Sequence, residues 1–154
     1  LFRAFRMTEI YNKYKHMKRL IFTTVILITL GCKENPDKMV TYLNGYWEIE
    51  KVTLPSGSVH TYNYNEVIDY FEVTDSLTGF RKKLKPQLDG TFETSTVLDH
   101  FSLQIEHDSL NIYYKTNFSR WKETILLATD RELKIINENK SVFLYKPYTP
   151  LNLK

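Results

Sequence analysis

Cysteine is nearly absent from this chain, with one in 154 residues, so no intramolecular disulfide can form. A structural zinc site built on paired cysteines is excluded with it. Glycine and proline number five each, which argues against a collagen-like or low-complexity polymer. Histidine is scarce at four, and His100 and His107 stand seven apart, on opposite faces of any continuous strand. His60 has no cysteine or histidine at ligand spacing, so no metal and no cofactor are expected. No Gly-x-Ser-x-Gly elbow and no glycine-rich phosphate loop occurs, which removes the nucleophile and nucleotide motifs that would mark an enzyme. The chain also lacks an apolar run of 18 or more residues, the usual length of a spanning helix.

What is present begins with Lys18 and Arg19, followed by the apolar-or-threonine run Leu20–Leu30, then Gly31 and the lone Cys32. As helix, the run would cover only about 16 Å, half of a bilayer core. A basic start, a short apolar core and a small residue at the end are the parts of a secretory signal. The ending Ile28-Thr29-Leu30-Gly31-Cys32 resembles the lipobox of bacterial lipoproteins, with Thr29 where that family prefers leucine. The resemblance implies that the chain is cut before Cys32 and that the Cys32 thiol carries a diacylglyceryl group, with palmitate-type acylation of the new amine. Membrane attachment through an N-terminal lipid and a cell-envelope address follow, on the periplasmic face of the outer membrane or on the cell surface. Residues 1–16 read as an upstream extension, 17–31 as the signal, and 32–42 as a lipidated tether with a reach of some 26 Å beyond the cysteine.

Charge changes meaning at this boundary. Of 21 lysines and arginines, six precede Cys32 (Arg3, Arg6, Lys13, Lys15, Lys18 and Arg19), but of 18 acidic residues only Glu9 does. The remainder carries a formal charge of −2, so the basic isoelectric point belongs to the leader and gives no support to nucleic-acid binding.

From residue 43 to 147 the pattern is all-β. Candidate strands are Tyr46–Leu54, Val59–Tyr64, Glu66–Val73, Phe80–Leu84, Thr91–Leu98, Phe101–His107, Leu110–Lys115, Trp121–Ala128, Glu132–Ile136 and Ser141–Lys146. Turn residues separate them every 8–12 positions, as in a sandwich or an up-and-down barrel. The clearest alternation sets Phe101, Leu103 and Ile105 against Ser102, Gln104 and Glu106, one face inward and one outward. Asp89-Gly90 is the strongest hairpin signal. Residues 148–154 read as a tail. Arg81, Lys82, Lys83 and Lys85 put charge on both faces of one run, a device that blunts an exposed strand edge. Glu48, Glu50 and Asp69 read as solvent-facing, and several tyrosines (Tyr62, Tyr64, Tyr113 or Tyr145) as outward by alternation.

Leu43-Asn-Gly45-Tyr-Trp47, at the head of the first strand, resembles the Gly-x-Trp opening of lipocalins. With the meander of about eight or nine strands, the chain resembles a bacterial lipocalin-like lipoprotein. The resemblance implies a small antiparallel up-and-down β-barrel whose Trp47 packs across the closed end. It further implies a non-catalytic function: binding of a small apolar ligand, with Trp47, Phe101, Leu103 and Ile105 inward as core or pocket lining, or a membrane-proximal scaffold. The other function class left open is a protein-interaction module, an inhibitor or assembly factor for an envelope partner, using outer strands and loops.

Overall fold

The structure is a computed structural model, describing Tyr14 and residues 34–150. The segment that resembles a lipobox, Cys32 and the last four residues lie outside the described residues. Pro36–Val40 forms a single helical turn, α1, within the segment expected as an extended tether. Asn35 caps it by accepting from the Asp37 amide at 3.0 Å, and Pro36 opens it where no donor is needed. Five residues are too few to show a helical period, but Met39 is buried and Leu43, just beyond, is fully so.

Nine strands follow: β1 Gly45–Thr53, β2 Val59–Thr61, β3 Ile68–Val73, β4 Thr78–Pro86, β5 Phe92–Glu106, β6 Ser109–Lys115, β7 Arg120–Ala128, β8 Leu133–Asn137 and β9 Val142–Pro147. All pair antiparallel, and β9 returns to β1 through Trp47↔Pro147 to Thr53↔Val142. Eight strands thereby close into a barrel. The short β2 pairs with Lys51–Thr53, on the edge of β1 that β3 leaves after Trp47. Closure removes the edges that an open sheet would expose.

Closure also overturns the edge reading of Arg81–Lys85. β4 is an interior strand, paired to β3 on one side and β5 on the other. The register puts Gly79, Arg81 and Lys83 on the same face as Phe71 and Asp69, which is the inside. Asp69, expected in solvent, is 1 % exposed. Tyr145, expected outward, is buried: on β9 it shares with Phe143 the face that pairs opposite Leu133 and Ile135 of β8, and it stands opposite Ile49 of β1. Gly79 is required where it stands. A Cβ there would run into the Glu72 carbonyl oxygen and sit 2.8 Å from the Phe101 ring, which covers the gap instead.

The two runs expected at 91–98 and 101–107 are one fifteen-residue strand. Between Lys82↔Leu98 and Leu84↔Thr94 β5 carries extra residues, a bulge that bends the hairpin. Only Phe101–Glu106 continues the barrel by pairing with β6. The other end reaches β1 and the segment after β9: Phe92 stacks on Tyr46 at 5.1 Å and meets Tyr148 edge-on at 6.1 Å. Ile68 and Leu84 are outward by register yet buried. The turn into β6 is His107–Asp108, both at positive φ (49° and 58°), the backbone of a two-residue hairpin loop matched to strand twist.

Candidate functional site: a charged layer inside the barrel

The barrel interior has two halves. At the end where α1 sits, Met39, Leu43, Trp47, Phe71, Leu103, Leu110, Ala128 and Leu133 form a packed apolar floor. The Trp47 indole N–H donates to the Leu43 carbonyl at 3.0 Å, fastening the α1 segment across this end. Above the floor, toward the ends of β4, β6 and β9 far from α1, the lining becomes ionic.

Arg81 is the centre of that upper layer. Its guanidinium lies 3.2 Å from Asp99 on the neighbouring strand and 3.4 Å from Glu123 on β7 across the barrel. It also stands 4.7 Å from the centre of the Tyr114 ring, on which Trp121 stacks at 4.7 Å and against which Phe101 packs edge-on at 5.7 Å. Lys83, one inward position further along β4, reaches the buried Asp69 carboxylate at 2.6 Å with its side chain still 50 % exposed. Three carboxylates and two cations thus share one cross-section of the barrel. The buried Arg81 Nε finds no acceptor among the described residues.

Burial penalises every charge here. It works against the Arg81 cation, yet Tyr114, Glu123 and Asp69 hold its pKa above the ordinary arginine value. Glu123 is pushed above its ordinary 4.5 by burial, with Arg81 pulling only partly the other way. The Tyr114 and Tyr145 phenols are raised well above theirs, mainly by burial. Because the folded state binds the Glu123 proton more tightly than the unfolded chain, this residue's contribution to stability falls as pH rises from 4.5 through its folded pKa. Urea unfolding of wild type and Glu123→Gln across that window should show the wild type losing ground as pH rises, and levelling once Glu123 is ionised. A difference that is flat or grows with pH contradicts the raised pKa.

Of the residues singled out from sequence, Trp47, Phe101 and Leu103 come together in the core. Ile105 does not join them: it is 41 % exposed at the end of β5. Cys32 lies outside the described residues. No group of three metal-ligating side chains occurs among the described residues. Arg81, Lys83, Asp69, Asp99 and Glu123 were not recognised as a set. Glu123 did carry a signal, since it sits between Trp121 and Ile125 in strict alternation and so belongs to the inward face.

Two of the clefts on the outer wall stand out by the residues that line them. One of about 480 Å³ is lined by Phe80, His100 and Tyr113 with Glu72 and Lys115 at its margins. The other, about 330 Å³, lies at the end of the β4–β5 hairpin beside Glu48, Lys146 and Tyr148.

A closed eight-stranded antiparallel meander with a tryptophan and a helical turn across one end is a lipocalin-type barrel. The chain belongs to the lipocalin-like domain family, whose model matches residues 43–135. No curated protein matches it. Among solved structures it is similar to an uncharacterized protein from Bacteroides eggerthii (11 % identity, 69 % of this chain and 99 % of that one, TM-score 0.45). It is also similar to a lipocalin-like protein from Bacteroides uniformis (9 % identity, 69 % and 98 %, TM-score 0.43).

Proposed function

We propose that this protein is a lipid-anchored, non-catalytic binding domain of the cell envelope that takes a small polar-headed ligand onto the charged layer of its barrel. The observation that carries this reading is the position of Arg81 and Lys83 on inward sites above a floor already full of side chains. A purely apolar guest would have to displace Trp47, Phe101 or Leu103, all buried. A guest with hydroxyl, carboxylate or phosphate groups can exchange partners with Lys83, which is half-exposed, and with Asp99. The lipocalin-like barrel is typically a binding or scaffold fold, which supports a role without catalysis. The anchor rests on Cys32 and its lipobox. With Pro36–Val40 folded as α1, about 13 Å of extended chain at most joins Cys32 to the domain.

Two measurements test the reading separately. Cys32→Ser should move the protein from the membrane fraction to the soluble fraction or block its processing; unchanged fractionation removes the anchor. Native mass spectrometry of the detergent-extracted protein should show a bound small molecule that Lys83→Gln loses. An empty wild type, or a ligand retained by that variant, removes the binding layer.

Phe118 favours a second reading. At the β6–β7 turn it is 99 % exposed, between Lys115 and Arg120, as a contact for an envelope protein partner would be.

A further inference from the structure

The outer wall holds a pocket distinct from the barrel interior, with the end of the β4–β5 hairpin as one of its walls. Its walls come from three places: Asn63–Asn65 after β2, Pro86–Gly90 at the hairpin end, and Lys146–Pro150 at and after β9. Glu48 of β1 forms part of its base. We propose that this pocket is a binding site for a small neutral saccharide.

Its volume, about 330 Å³, is at the lower end of small-molecule sites and has room for one or two sugar rings. Its charges cancel. The Glu48 carboxylate and the Lys146 ammonium lie 3.3 Å apart, so the base offers an acceptor and a donor side by side without a net charge to attract an ion. A sugar hydroxyl satisfies both at once, because it donates and accepts. The polar groups are also held in place before any ligand arrives. Asn65 donates to the Ile49 carbonyl at 2.8 Å and reaches Glu48 at 3.5 Å, and the Tyr148 amide donates to the Tyr46 carbonyl at 2.9 Å.

Flat, weakly polar surfaces stand around this base. Tyr64, 74 % exposed, and Tyr148 both line it, and Pro86, Pro147 and Pro150 supply the remaining rings. A pyranose has the matching form: an apolar face of C–H bonds that packs on rings, and a rim of hydroxyls. Tyrosine presents an apolar body with a polar tip to such a ligand. The Tyr148 phenol is raised above its ordinary pKa by burial and by Glu48 and Tyr64, which keeps it a neutral donor. A purely apolar ligand would leave the Glu48–Lys146 pair covered and unsolvated, which costs free energy.

The test is saturation-transfer NMR of the full-length protein with maltose, cellobiose and N,N′-diacetylchitobiose at about 10 mM each, a concentration that reveals Kd values near 1 mM. The expected result is transfer to at least one disaccharide, strongest at the C–H face, with affinity about tenfold weaker in both Tyr64→Ala and Glu48→Gln. Tyr64 is exposed, so its replacement leaves the fold intact. Absence of transfer to all three sugars overturns the proposal. So does transfer that neither substitution weakens. Because Lys83 and Arg81 lie inside the barrel, failure here leaves the interior-layer reading standing, and the reverse also holds.

Discussion

Replacing Arg81 with methionine should cost the domain about 3–5 kcal/mol of unfolding free energy at pH 7, the loss expected when one member of a buried ion pair is removed. Methionine keeps an unbranched apolar stem but not the guanidinium over the Tyr114 ring, so the loss reports charge, hydrogen bonding and that cation–ring contact more than volume. What remains is Glu123, buried across the barrel without its cation, and Asp99, which water reaches in part. Glu123 can relieve itself by taking a proton, and its pKa is already raised by burial. The deficit should therefore shrink toward pH 5. A second substitution makes the argument sharper. In Arg81→Met/Glu123→Leu the stranded carboxylate is gone, and apolar side chains that fill the space are often as stable as the pair they replace. The double variant should recover most of the loss, giving a coupling of about 2–3 kcal/mol between positions 42 residues apart in sequence. Urea midpoints with unchanged slope would establish this. A single-variant loss under about 1 kcal/mol would place the network in water, where exposed pairs are worth that little.

That network shows where the sequence stops being legible. The strands could be read because alternation is local: Phe101 and Leu103 announce an inward face within three residues, and Asp89-Gly90 announces a turn. The barrel itself followed from turn spacing and the Gly45-Tyr-Trp47 opening. Arg81 and Lys83 were equally visible as alternating charges, yet their meaning depended on whether β4 lies at an edge or inside a closed wall. Closure is decided by β9 meeting β1, about a hundred residues apart, and no local pattern records it. Asp69 was misplaced for the same reason, since an acidic residue beside Tyr70 looks solvent-facing until Lys83 is brought to it. Tyr145 was hidden by the same limit, since it alternates with Phe143 and that face is settled as inward only when Leu133 and Ile135 of β8 are brought opposite. The long β5 failed differently. Asp99-His100 reads as a break, but Asp99 is held inward by Arg81 and His100 packs outward against Phe80. The outer pocket draws its walls from three separate places in the chain, so it was beyond reach of any reading by strand period alone.

The opposite end of the barrel should respond as strongly. Trp47→Ala is expected to destabilise the domain by about 3–5 kcal/mol, the range for truncating a large buried aromatic. Trp47 is 4 % exposed, and its neighbours Met39 and Leu43 reach the barrel from α1 and the turn after it, not from another strand. The cavity left by the truncation would lie against a segment held by one helical turn. Part of the loss should therefore appear as detachment of α1, seen as fast amide exchange at residues 38–43 while the strands stay protected. Trp47→Phe separates the two contributions. It keeps a ring in the floor but leaves the Leu43 carbonyl without its 3.0 Å donor, which should cost about 1–3 kcal/mol. Met39→Ala, combined with Trp47→Phe, should then be less than additive, since both loosen the same plug. Strict additivity would mean that α1 and Trp47 close the barrel independently. Because α1 begins four residues after Cys32, a loosened plug would also lengthen the chain between the proposed anchor and the barrel.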